Sequence, residues 1–415
     1  MSRNDQFQQA CEAWLRAALL FLQRVPSQPY YEDIDVTFDS EGRFATHPAG
    51  QKIDAMRLVV NNDKMLFSLP EFESVLDTVL RIPALSAVLC PDREGQPPND
   101  RDYQHAMVAS YISTLLVEYI SAKQDLAFTL PIFEYLYQKL EEYIYDSEPI
   151  TTKTIIHIRN LRSEVENVSI GDQVFLRRAT YQEKKAALMM SRSGLAFPIY
   201  PETMLEIHHR LAPTVRLQAP EQQEVYEIAN AVIFALRLIK SNPVELSTYY
   251  WDASDQPFRH KGGMGGSIFQ MPHLYLDNPY ILTSDDVDAL AKLWPKAKKA
   301  YNKPELAMAR TRLEGSYLRI TLDDMLIDYW IGLEALFLPP DYTREMAEAV
   351  ALAVSNYLGR TAESRRSIYH QVIESHKLRG KVVHGKQVEG NKLREMYTKT
   401  GDLLRRSLRQ RIEEG

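Results

Sequence analysis

The sequence predicts a multidomain, mainly α protein: a C-terminal antiparallel helical bundle preceded by a small α+β region and a mostly helical N-terminal region. Three observations carry this. The chain has 415 residues, more than one ordinary core organises. Apolar residues recur at helical spacing up to about residue 145 and again from Ser284 onward. Between those points the apolar runs are short, β-rich and separated by turn residues. The expected domains are 1–149, 150–282 and 283–415.

Residues 1–25 read as one amphipathic helix, because Phe7, Cys11, Trp14, Ala18 and Leu22 keep helical spacing. An extended segment is expected at Ile34 to Phe38, closed by the turn residues Asp39 to Gly42. Residues 70–90 look helical. Cys90 to Arg101 holds three prolines, a glycine and five charges and reads as a surface loop. Tyr103 to Ala122 and Pro131 to Tyr145 are expected helices. In the middle region Thr154 to Ile158, Val174 to Leu176 and Val215 to Leu217 are the strand candidates, and Glu221 to Ile239 is a helix stopped by Ser241-Asn242-Pro243. Leu246 to Leu276 mixes strand residues with a glycine-rich loop.

The bundle is expected to open with a helix capped by Ser284-Asp285, followed by one beginning at Pro304 and one over Leu322 to Phe337. Pro339-Pro340 stops the third, and Asp341 or Thr343 caps the next, which ends at Gly359. Thr361 caps another reaching towards His376, and a last helix runs from Gly390 to about Arg411. Short connections imply antiparallel neighbours.

Composition narrows the function classes. No stretch approaches the roughly 20 apolar residues of a membrane span, and Ala17 to Leu22 lacks the flanks of a secretory signal, so a cytoplasmic protein with no membrane partner is expected. Cys11 and Cys90, the two cysteines, make neither a disulfide framework nor a zinc spacing. His208-His209 has no matching carboxylate or cysteine spacing, and no metal or cofactor is expected. Lys261 to Ser267 is glycine-dense but lacks the residue order of a phosphate loop. Net charge is −6, unevenly spread: Ala291 to Gly415 holds 23 Lys+Arg against 16 Asp+Glu, and the preceding residues hold 26 against 39. Contact with a polyanion therefore belongs at the rear of the chain, unless these charges are simply solvated helix faces.

The chemistry points to Lys377-Leu-Arg379-Gly380-Lys381-Val-Val-His384-Gly385. RNA cleavage without a metal needs a group that moves protons between the 2′-hydroxyl and the 5′-oxygen, and histidine, with a pKa of about 6.5, suits this. It also needs a cation on the phosphate, which arginine supplies with two parallel donors. The Arg-x4-His spacing is weak alone, since Arg365 and His370 share it. Five residues of ideal helix subtend about 140° and about 7.5 Å, so one chain would not place Arg379 and His384 on one face. A composite site between two copies is the expected arrangement. On the Leu322–Phe337 helix, Glu334 sits beside Trp330 and Ile327 and needs a cation, either in a helix-to-helix salt bridge or at the active site. Asp328 falls nearly opposite and is expected to be solvated. His376 is either an auxiliary donor or simply exposed.

The run Asp328-Tyr-Trp-Ile-Gly-Leu-Glu334-Ala-Leu-Phe, a following Thr-Arg-Glu helix and the Leu378 to Gly385 segment together resemble the Apea-like HEPN family. The region Ile155 to Leu188 and the run Val232 to Leu238 resemble what precedes that domain, so the likeness covers about residues 150–415. The resemblance implies an all-helical dimerising domain and a metal-independent endoribonuclease forming 2′,3′-cyclic phosphates, often in toxin or anti-phage defence systems. It carries the catalytic roles onto Arg379 and His384 and the supporting acid onto Glu334. The family position after the arginine is usually polar; here Gly380 stands there, followed by Lys381. Lys386, Arg405, Arg406 and Arg409 are further candidates for phosphates. RNA, tRNA included, and a second copy of the chain are the expected partners, with residues 1–282 sensing a trigger or inhibitor. The alternative is a non-catalytic module that binds RNA, a nucleotide or a protein.

Overall fold

The computed structural model describes residues 3–38, 44–90, 100–145, 150–185, 202–211, 222–252 and 279–415. The expected turn at 39–42, most of the 90–101 loop, the strand at 215–217 and the glycine-rich loop at 261–267 lie outside them. The chain is mostly helical and divides into two compact units. One comprises Met1–Lys153 with His209–Gln218 and Trp251–Gly263; the other comprises Thr154–His208, Ala219–Tyr250 and Met264–Gly415. One division between the units falls between Lys153 and Thr154, and residues 264–415 lie in one unit. No helix among the described residues is long and apolar enough to cross a membrane.

The first unit contains α1 (Asp5–Gln23), a hairpin of β1 (Tyr30–Phe38) and β2 (Phe44–Ile53), α2 (Ala55–Asn61), α3 (Asp63–Leu66), α4 (Pro70–Arg81), α5 (Pro83–Leu89), α6 (Arg101–Lys123) and α7 (Leu130–Tyr145). The apolar stripe of α1 is buried as expected and packs on α4, with Trp14 stacked on Phe67 and its Nε1 donating to the Leu66 carbonyl at 3.2 Å. Buried Glu141 on α7 accepts from the backbone N–H groups of Arg3 and Asn4 at 2.9–3.0 Å, placing a carboxylate at the positive end of α1. The extended segment at Ile34 proves to be one strand of a long hairpin. Its partner carries Pro48 and Gly50, which sit where the register shifts. A bulge is where a strand tolerates proline, and these residues hid β2 from a periodicity reading.

The second unit holds most of β3 (Ile150–Arg159), then β4 (Leu161–Ser163), β5 (Asn167–Gly171), β6 (Val174–Arg178), most of β7 (Thr203–Leu211), α8 (Gln222–Ile239), most of β8 (Glu245–Asp252) and β9 (Tyr280–Leu282). Five strands form a sheet in the order β5-β6-β7-β3-β8, and β4 pairs in parallel with β9. Alternate residues Ile156, Ile158, Val168, Ile170, Val174, Leu176, Leu205 and Ile207 face one core, the period-2 pattern of a strand with one apolar face. The bundle follows: α9 (Ser284–Tyr301), α10 (Pro304–Ser316), α11 (Leu322–Phe337), α12 (Met346–Leu358), α13 (Ala362–Val383) and α14 (Gly390–Glu414). Thr283, not Ser284-Asp285, caps α9, through a capping box with Asp286. Neither Asp341 nor Thr343 caps α12; its N-cap is Glu345, at φ +45 and without a side-chain cap.

Strands and bundle share a single hydrophobic core. Leu290, Leu293, Trp294 and Ala297 of α9 join the strand residues and α8 in it, together with Leu326, Trp330 and Leu333 of α11. Two glycines let α11 and α14 approach closely. A Cβ on Gly332 would lie 2.7 Å from Leu404, and one on Gly401 would lie 2.7 Å from the Tyr329 ring.

Candidate functional site

The site is built on α13, which packs against α12, α11 and α14. Thr361 begins it with a capping box to Ser364, as expected, but it runs past His376 to Val383 and so carries Arg379 within the helix. Its end is a Schellman motif. The Gly385 N–H donates to the Val382 carbonyl and the Lys386 N–H to the Lys381 carbonyl, both at 2.9 Å, with Gly385 at φ +66. The glycine following the histidine therefore has a backbone role: it turns the chain at the point that makes His384 the C-cap, at φ −88 and ψ 13.

At about 100° per residue Arg379 falls on the side of α13 that buries Ile368, Val372 and Ser375. That side is anchored by a buried chain of hydroxyls. Trp330 Nε1 donates to Ser375 Oγ at 2.9 Å, Ser375 Oγ meets Thr400 Oγ1 at 2.5 Å, and Thr400 donates to the Met396 carbonyl at 2.7 Å. His376, half-buried, meets Trp330 edge to face at 5.0 Å between ring centres. Arg379 is half-buried with its Nε shut off from solvent, and among the described residues its side chain forms neither a hydrogen bond nor an ion pair.

The charges around Arg379 respond to it. Burial pushes the Glu334 carboxyl of α11 up from its ordinary range, and the positive charge of Arg379 pulls it part of the way back. Burial pushes the His376 imidazole down; Arg379 adds to this and Glu348 of α12 opposes it. Arg379, Glu334 and His376 thus form one electrostatic group on the bundle side of α13. His384, Lys381 and Lys386 are exposed, and no heavy atom lies within 4 Å of where a Cβ on Gly380 would stand.

The other expected residues divide. Arg365 donates through Nε to the Gly359 carbonyl at 2.9 Å, stitching α13 to the end of α12, and His370 is exposed. Arg405 donates to the carbonyls of Leu238 at 3.0 Å and Ile239 at 2.8 Å, capping α8, and also pairs with Asp402. That engagement gives Arg405 a structural role at the end of α8. Arg406 pairs with Asp402 at 3.5 Å, and Arg409 with Glu413 at 2.8 Å. The expectation for Asp328 fails. It is 2% exposed and clamped by Arg312 at 2.9 Å and Arg319 at 2.7 Å, because α10 and the turn after it cover that side of α11. In the sheet, His208 Nε2 meets Glu206 at 2.5 Å, and Arg177 pairs with both Glu206 and Glu183 at 2.6 Å, a network that sequence reasoning missed because its members lie on different strands and on the helical turn after β6. Comparison with known proteins finds no matching family, no curated relative and no similar solved structure.

Proposed function

We propose that the chain is a metal-independent RNA endonuclease of the HEPN type, acting as a homodimer in which Arg379 of one copy works with His384 of the other. The observation that carries this reading is the Arg379 guanidinium: half-buried, fixed on a packed helix and, among the described residues, without a hydrogen bond or ion pair, although the Glu334 charge reaches it. A buried donor without an acceptor calls for one, and a phosphate satisfies it bidentately. Arg379 faces the bundle and His384 faces solvent, so a second α13 laid across the first supplies what one chain separates.

In the reaction the 2′-hydroxyl loses its proton and its oxygen attacks the adjacent phosphorus. The bond from phosphorus to the 5′-oxygen breaks, and that oxygen takes a proton, leaving a 2′,3′-cyclic phosphate and a 5′-hydroxyl. His384 transfers one of these protons, and Arg379 holds the non-bridging oxygens as charge develops. A role in a toxin or defence system rests on the family resemblance.

The test is cleavage of bulk tRNA and mRNA by the purified chain in EDTA. His384→Ala is expected to lower the rate by about 100-fold or more, Arg379→Ala by about as much, and Arg365→Ala to leave it near wild type. Undiminished cleavage by His384→Ala sinks the proposal. The second reading, a binding module without catalysis, is favoured by one observation: the open space at Gly380, where the family's polar side chain is missing. Gly380→Asn fits there, and activity that appears only in this variant would decide for the binding module as the natural state.

A further inference from the structure

The exposed side of α13 has no part in the buried group described above. Arg366, His370, Lys377 and Lys381 fall within about 60° of one another on the helix, opposite Arg379, and span about 22 Å from Arg366 to Lys381. All four are exposed, as are His384 at the cap and Lys386 just beyond. Among the described residues none of the side chains of Arg366, Lys377, Lys381 or Lys386 makes a hydrogen bond or ion pair. The contrast is with α14, where Lys399, Arg405, Arg406 and Arg409 each have a carboxylate partner. Lysines in a last turn ordinarily answer the helix dipole, but Arg366 and Lys377 lie outside that turn.

We propose that this face is the track for a single RNA strand, with Arg366, Lys377, Lys381 and Lys386 contacting successive phosphates and leading the strand to His384. The inference rests on the nuclease reading for its choice of RNA, and it moves the phosphate contacts from α14 to α13. Ile373, at the edge of the stripe, is half-buried against the core, so the stripe offers no exposed apolar side chain, whereas a protein partner needs a buried apolar or aromatic anchor. A row of unpaired cations at helical repeats fits a polyanion backbone instead. Glu363 and Glu374 share the face and are exposed, so they repel the same strand.

The experiment measures binding of a short 2′-O-methyl single-stranded RNA, which cannot be cleaved through its 2′-oxygen, to the full chain across a salt series in EDTA. Three or four phosphate contacts give a slope of log affinity against log salt of about −2 to −3. Lys377→Glu with Lys381→Glu is expected to weaken binding at least about tenfold and flatten the slope by about 1 to 2. Glu374→Gln is expected to tighten binding, and Arg406→Glu with Arg409→Glu to leave it unchanged. The inference is overturned if the α13 pair binds like wild type, if the α14 pair weakens binding equally, or if the wild type binds no RNA, whether or not it captures an acidic protein. Cleavage of unmodified RNA is read in parallel. Stripe-dependent binding without cleavage keeps the track and removes the nuclease; cleavage indifferent to the stripe does the reverse.

Discussion

Asp328 shows what one residue can cost. Its carboxylate is buried on α11 with Arg312 and Arg319 as its partners. Hydrogen bonds to a charged group contribute about 1.5–3 kcal/mol each when their loss leaves a buried group unmatched. The two arginines remain partly exposed and recover solvation, so Asp328→Asn is expected to lower stability by about 2 kcal/mol, near the lower end of that range. An unchanged urea midpoint would sink the estimate. His157 sets a pH limit. Burial, helped by Arg159, pushes its imidazole down to about 3. An unfolded chain takes up that proton near pH 6.5 while the folded chain refuses it. The stability that depends on the neutral ring is therefore complete above about pH 6.5 and drains as pH falls towards about 3, by up to about 1.4 kcal/mol per pH unit. His157→Gln is expected to flatten that part of the pH–stability curve. If the variant falls as steeply as wild type between about pH 6.5 and about 4, another group is responsible.

At the scale of the element, α13 owes its C-terminus to Gly385. A side chain there meets no atom within 4 Å, so a substitution costs backbone strain alone. Gly385→Ala is expected to destabilise by about 1 kcal/mol, and Gly385→Asn by less, since asparagine tolerates the left-handed region. Both shift the cap that holds His384, so cleavage should fall in the same order as thermal stability. Equal melting temperatures for the two variants would remove the Schellman account. The same helix marks how far the sequence could be read. Periodicity located α13 and its capping threonine, because both are local. It did not reveal where the helix ends, since Gly380 and Gly385 are both candidate stops and only Gly385 takes the left-handed turn. It placed Asp328 correctly opposite the apolar stripe but could not show that α10 covers the other side. A helical wheel ranks faces by polarity; which neighbour lies against each face is a property of the packing. The pairing of β1 with β2 was illegible for the opposite reason, since Pro48 and Gly50 look like breakers until the bulge gives them a place.

At the scale of the molecule, the bundle and the sheet region stand or fall together. The chain appeared divisible at 282/283, because composition and periodicity change there. The core does not divide. Leu290, Leu293 and Trp294 of α9 share it with α8 and the strands, Phe234 of α8 meets Tyr301 at 5.9 Å, and Arg237 stacks over Tyr317 at 4.6 Å. Lys240 pairs with Asp286, and Arg405 reaches from α14 to the last carbonyls of α8. A fragment of residues 283–415 would expose those apolar side chains and leave Asp286 and Arg405 without their partners. It is expected to lack a cooperative thermal transition, although it contains every helix of the bundle. Arg405→Ala in the full chain separates the two roles once considered for that arginine. As a cap it contributes about 1–3 kcal/mol through its bonds to two carbonyls, so its loss should lower the melting temperature and leave RNA affinity unchanged well below it. A variant that melts like wild type but binds RNA more weakly would return Arg405 to the phosphate contacts, and would show that the last helix of the bundle serves the ligand rather than the joint with α8.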